Sequence, residues 1–135
     1  VQFQPGALHR LTGLPAHELT NRFVDAEALF GPELRRLNER LSGCANHLEM
    51  IPLVEEFLGY LVRRTPKAPR PIDRVSRVLL HQPSGLSLDW LADQACLSTR
   101  QFYRQFVERE GVSPKLFARI ARFERAMLLK NARPT

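Results

Sequence analysis

Residues 86–111, LSLDWLADQACLSTRQFYRQFVEREG, decide the reading of this chain, because they divide into two short amphipathic stretches around a three-residue turn. Ser87 stands at an N-cap position, and Leu88, Leu91, Ala92 and Ala95 recur behind it at helical spacing toward one side. Asp89 and Asp93 fall toward solvent. The small side chains of Ala92 and Ala95 admit a second helix close by, Leu97 plugs the turn, and Ser98 caps the second helix, which is therefore expected to start near Thr99. On it Phe102 and Phe106 make one face. Arg100, Tyr103, Arg104 and Val107 lie on the other side, at about 100° per residue. Two short helices held at an angle by such a turn are a common way of presenting a helix to DNA.

Spacing alone fits any antiparallel helix pair with a solvated basic face; the chemistry of the outward residues favours nucleic acid. Arg makes bidentate hydrogen bonds to guanine O6 and N7, and Tyr meets a thymine methyl or a phosphate. These residues sit in the N-terminal half of the helix, where recognition helices contact bases. Gly111 then ends the helix, Ser113 caps the next, and Pro114 takes the N1 position, where its missing N–H costs nothing. A long helix from Pro114 to about Asn131 is expected. Its apolar set is Leu116, Phe117, Ile120, Phe123, Met127 and Leu128, and Lys115, Arg119 and Arg122 form a basic stripe that either tracks phosphates or keeps the helix soluble.

The series Leu86, Ser87, Leu91, Ala92, Leu97, Ser98, Arg100, Phe102, Arg104, Phe106, Gly111, Ser113, Pro114, Phe117, Arg122 and Ala126 resembles the AraC-type family of bacterial transcription regulators. The resemblance spans roughly residues 72–131. It implies an all-α, homeodomain-like DNA-binding subdomain in which residues 86–106 form the first of two helix-turn-helix units and residues 114–131 the connecting helix. Carried over by position, it implies base reading by Thr99, Arg100, Tyr103 and Arg104, with phosphate contacts from Ser87, Gln101, Lys115 and Arg119. The partners it implies are double-stranded DNA, RNA polymerase and a small-molecule effector held by a preceding domain; no cofactor or metal is expected. Two departures stand out. Cys96 occupies the turn where the family usually has Gly, which costs on the order of 1 kcal/mol if the backbone there needs positive φ. The chain also stops at Thr135, where the family would place its second unit, so it is expected to be a fragment carrying half of a recognition surface and binding DNA weakly.

Charge is distributed to match. The net charge is +6 overall, yet residues 1–62, with five Arg and eight acidic residues, carry −3, residues 63–97 carry +3 and residues 98–135 carry +6. Basicity concentrated at one end supplies the sequence-independent attraction to phosphate that a DNA-binding domain needs. At 135 residues and 44% hydrophobic content, the chain can build one core or two small ones. Cys44 and Cys96 show no framework spacing, no apolar run approaches the ~18 residues of a membrane span, and no signal peptide opens the chain, so a cytoplasmic location away from membranes is expected.

The stretch TPKAPRP, residues 65–71, holds three prolines and two basic residues, which excludes helix and favours an extended linker. After it, residues 72–81 place Ile72, Val75, Val78 and Leu79 at helical spacing, a helix that supports the pair at 86–111; Arg70, Arg74 and Arg77 are either phosphate contacts or simply solvated. Before it, residues 1–64 read as the helical end of a sensor or dimerisation domain. Val1 to Phe3 suit an extended piece, Pro15 opens a short helix, Asp25 caps another, and Pro32 begins a helix with Leu34, Leu37 and Leu41 on one face, ended by Gly43. The next helix runs to Arg64 from either His47 or Ile51. Pro52 favours the later start, because inside a helix it would cost about 3 kcal/mol. It aligns Ile51, Val54, Leu58 and Leu61, with Phe57 and Val62 beside them. The resulting hairpin either buries its faces within one chain or joins two copies through residues 26–64, the role the family's helical portion implies.

Catalysis is not expected. Cys44 and His47 are too few for a structural zinc, the remaining histidines (His9, His17 and His81) have no acid or nucleophile at telling spacing, Glu55 and Glu56 point differently around a helix, and no glycine-rich phosphate loop is present. The reading from another class is a helical protein-interaction or dimerisation module whose basic half binds an acidic partner. Salt-dependent binding that discriminates between DNA sequences separates the two.

Overall fold

The computed structural model describes residues 3–65 and 68–132. Over these residues the fold is all-α, without strands: α1 (Ala7–Thr12), a single 3-10 turn (Ala16–Glu18), α2 (Ala26–Phe30), α3 (Pro32–Ser42), α4 (His47–Arg64), α5 (Pro71–His81), α6 (Leu88–Gln94), α7 (Thr99–Glu110) and α8 (Pro114–Asn131). No helix among the described residues is long and apolar enough to cross a membrane. Val1 lies outside the described residues, so the extended piece expected at Val1 to Phe3 is described only at Phe3. In the expected linker Pro66 and Lys67 lie outside them too, and Pro71 already serves as a helical N1 residue of α5, so the extended backbone ends at Arg70.

Local signals set most helix ends. The Asp25 side chain accepts from Glu27 N, Ser87 from Trp90 N, Ser98 from Gln101 N and Ser113 from Leu116 N, each satisfying one of the N–H groups that a helix start leaves unpaired. At the other end of α7, Gly111 adopts φ 80°, the left-handed conformation that closes a helix at least cost in glycine.

The start of α4 departs from the expectation built on Pro52. The helix begins at His47, leaving Pro52 inside it. The physical reason lies in the cap. Asn46 Oδ1 accepts from both Leu48 N (3.0 Å) and Glu49 N (3.2 Å), while Glu49 Oε2 accepts from Ala45 N at 2.9 Å. These bonds satisfy three donors at once and help to offset the cost of Pro52, which lies inside the helix and has no N–H to give the Leu48 carbonyl.

α3 and α4 form an antiparallel hairpin: Arg40 pairs with Glu56 (2.8 Å) and the Tyr60 hydroxyl donates to Glu33 (3.4 Å), joining early positions of one helix to late positions of the other. Leu37 of α3 and Leu61 of α4 are buried, and Phe30 meets Phe57 edge-on at 6.0 Å. Leu48, Ile51 and Val62 stay exposed, so the apolar set of α4 divides into an inward and an outward stripe.

The main core belongs to the second half. Ile72, Val75 and Leu79 of α5, Leu91, Ala92 and Ala95 around α6, and Phe102 and Phe106 of α7 pack as one cluster, with Leu86, Leu97, Phe117 and Ala118 at its edge. Val78 and Leu88, expected on these faces, are exposed instead. The larger departure is α8. Ala121 and Pro114 are its buried residues, with Phe117 and Ala118 half-buried, whereas Leu116, Ile120, Phe123, Met127 and Leu128 remain open, Phe123 at 66% exposure. The helix seats itself through its small side chains because these let it approach α5 closely. An Arg125 guanidinium bond to the His81 carbonyl (3.2 Å) fastens its far end.

The N-terminal stretch does not stand apart from this core. α1 and the 3-10 turn both lie against α7.

Candidate nucleic-acid interface

α7 is built from its two faces. Phe102 and Phe106 are 0% exposed, with ring centroids 5.5 Å apart, and Phe106 meets Phe117 of α8 edge-on at 5.3 Å. This anchoring turns Arg100, Tyr103 and Arg104 outward: all three are exposed, Tyr103 at 48%. The guanidinium groups present planar donor forks suited to two-pronged contact with a base edge or phosphate, and the phenol adds a donor and an aromatic face.

Two further expected contact residues are partly committed within the fold. The Thr99 hydroxyl donates to Asp89 Oδ1 at 2.7 Å, tying the first turn of α7 to α6. Gln101 Oε1 accepts from Ser98 N (3.2 Å) and from the Ser98 hydroxyl (3.0 Å), completing a capping box. That leaves only the amide nitrogen of Gln101 facing outward chemistry. Ser87 likewise uses its oxygen as an N-cap, accepting from Trp90 N at 3.1 Å. Lys115 and Arg119 are exposed on the first half of α8.

The turn before α7 holds Cys96 at φ 57°. A non-glycine residue there carries the left-handed penalty expected from the sequence, of order 1 kcal/mol. The turn accepts it because Leu97 N donates to Ala92 O at 3.0 Å and Leu97 packs against the core.

Behind the outward face lies a polar cluster that local sequence does not signal. Asp73 of α5 and Arg109 of α7 form an ion pair of 2.6 Å, with side chains 4% and 8% exposed. The second Asp73 oxygen accepts from Arg70 N at 2.7 Å, so one carboxylate both caps α5 and neutralises Arg109. Beside them Glu110 Oε2 accepts from Gly6 N at 3.0 Å. Burial pushes the Glu110 carboxyl above its usual range, and Asp73 adds to the rise, against the lowering influence of Ser76, the Gly6 amide and Arg109.

The N-terminal stretch also reaches the outward face. Pro15 and His17 share a shallow, mainly apolar cavity of about 340 Å³ with Tyr103, Arg104, Val107 and Glu108, which explains why Val107 is half-buried. Neither Pro15 nor His17 announces this in sequence, since some ninety residues separate them from α7. Among the described residues no group of three or more His, Cys, Asp or Glu side chains is placed to hold a metal ion.

Fold and site together define an all-helical protein whose basic second half carries a helix with one face anchored and a cationic, aromatic face exposed. Comparison with protein-family models, with curated proteins and with solved structures finds no match.

Proposed function

We propose that the chain is part of a sequence-specific DNA-binding regulator of transcription, cytoplasmic and of AraC type, in which α6, the turn at Cys96 and α7 act as a helix-turn-helix. The observation that carries this is the division of α7: Phe102 and Phe106 are fully buried while Arg100, Tyr103 and Arg104, in its N-terminal half, are exposed. α7 enters the major groove, Arg100, Tyr103 and Arg104 meet base edges, Thr99 contributes from the first turn, and the charge of residues 98–135 holds the phosphates. Arg104→Ala is the direct test. It should cost about 1–3 kcal/mol on a selected binding site and little on random duplex, measured by fluorescence anisotropy over a series of salt concentrations. Equal losses on both would remove Arg104 from base reading.

The exposed stripe Leu48, Ile51 and Val62 on α4 supports a second element of the proposal, a homodimer through residues 26–64. Two copies bring two reading helices to paired half-sites at raised effective concentration. Sedimentation of the chain should show concentration-dependent doubling of mass, abolished by Ile51→Glu. A monomer at high concentration would rule this interface out.

A further inference from the structure

We propose that the cleft lined by His9, Arg10, Arg70, Asp73 and Arg109 binds a phosphate group, free or carried on a small molecule, and through it ties the start of the chain to its second half. Three separate pieces of chain converge there. His9 and Arg10 come from α1, part of the N-terminal strap that lies against α7. Ala68 and Arg70 come from the stretch leading into α5, with Asp73 in that helix's first turn, and Arg109 comes from the last turn of α7.

Charge decides what such a cleft takes. Its lining holds three guanidinium groups against one carboxylate, an excess of +2 with His9 neutral. Glu110 bonds the Gly6 amide outside the lining; counted as ionised, it still leaves +1. The one lining carboxylate is already divided, since Asp73 Oδ1 accepts from Arg109 Nη1 at 2.6 Å and Oδ2 from Arg70 N at 2.7 Å. Arg109 spends one N–H of its fork in that pair, and its charge sits on a side chain only 8% exposed, where water screens it little. The His9 ring donates Nδ1–H to the Leu14 carbonyl at 2.7 Å, which fixes the ring at the edge of the cleft and leaves Nε2 for an incoming group. Guanidinium forks match phosphate oxygens in pairs. A phosphate group carries about −1.5 to −2 near neutral pH and so balances the excess, whereas a carboxylate supplies about half as much. Size agrees. The cavity measures about 50 Å³. That is room for roughly four buried waters, as many as the oxygen atoms of one phosphate. A larger ligand keeps the rest of itself outside, in solvent.

The cleft stands apart from the outward face of α7. Arg109 follows Arg104 by five residues, which at about 100° per residue turns it about 140° around the helix. Its partner Asp73 is buried on the side of α5 that carries Ile72 and Val75 into the core. A bound phosphate therefore leaves Arg100, Tyr103 and Arg104 uncovered, and the site does not depend on the function proposed above.

The test is a titration of the whole chain with inorganic phosphate at about pH 7.5, ionic strength held constant with sodium chloride, read by NMR amide shifts and by the thermal unfolding midpoint. Saturable shifts centred on His9, Arg10, Ala68, Arg70, Asp73 and Arg109 are expected, with a midpoint that rises as phosphate is added. Arg70→Gln removes an exposed cation of the lining and keeps the backbone N–H that Asp73 accepts, so it should weaken phosphate binding about tenfold or more while the midpoint without phosphate stays in place. Arg74→Gln, one turn further along α5 and facing a different cavity, should bind as wild type does. Glycerol 3-phosphate distinguishes the two sources: tighter binding of the ester assigns a phosphorylated small molecule, weaker binding the free ion, and both uphold the site. Shifts that fail to saturate or that spread along the basic stripe of α8, equal weakening by the two variants, or displacement of phosphate by a short DNA duplex overturn it.

Discussion

Arg109→Ala is expected to destabilise the folded chain by about 3–5 kcal/mol, because it leaves the Asp73 carboxylate buried without its cation. The pair lies at 2.6 Å with both side chains almost wholly removed from water, so solvent does not screen the loss. Against a total stability of about 5–15 kcal/mol for a domain of ordinary size, such a change removes between about a fifth and the whole of the margin. Urea denaturation followed by circular dichroism reads the effect. The double variant Asp73→Leu/Arg109→Met supplies the contrast. With both charges gone, no uncompensated ion remains, and the residual cost is that of the lost cap on Arg70 N, about 1 kcal/mol. If the double variant is as unstable as Arg109→Ala, the unpaired carboxylate is not the cause.

Phe106→Ala should cost a similar amount, about 3–5 kcal/mol, for a different reason. The ring is fully buried where α5, α6, α7 and α8 converge and touches two other rings, Phe102 and Phe117. Truncation removes its own transfer energy, leaves a cavity between helices joined to different segments, and deletes two aromatic contacts of about 0.5–1.5 kcal/mol each. Phe106→Leu keeps most of the buried area and should lose clearly less. A loss below about 1 kcal/mol for the Ala variant would show that α8 collapses into the space. The same experiment bears on the interface, since Phe106 is part of what turns Arg104 outward.

The contrast between these residues shows where sequence patterns carry information. Phe102 and Phe106 are legible because one helix sets their spacing, and Arg100, Tyr103 and Arg104 fall opposite them by the same geometry. Ser87, Ser98 and Ser113 are legible because a cap is decided within three residues. Pro52 misleads because a local penalty was set against a cap, Asn46 with Glu49, whose combined bonds outweigh it. On α8 the large apolar residues suggest the packed face, yet close approach to α5 selects Ala121 and Ala118, which periodicity alone does not rank above Phe123 or Leu128.

Arg109 and Glu110 mark the limit of that legibility. In the sequence they are two charges near the end of a basic helix, where solvation is the ordinary outcome. Their burial comes from the arrival of Asp73, 36 residues before Arg109, and of Gly6, 104 residues before Glu110. By itself the sequence determined the helices from α2 onward, most of their ends, the charge gradient and the two faces of α7, because each depends on neighbours within a turn or two or on composition. Only the tertiary structure decided which apolar faces are covered, that the N-terminal strap lies against α7, and that Asp73, Arg109 and Glu110 share one buried cluster. Those outcomes depend on which distant surfaces meet, and contacts between residues far apart in the chain leave no periodic trace in either segment.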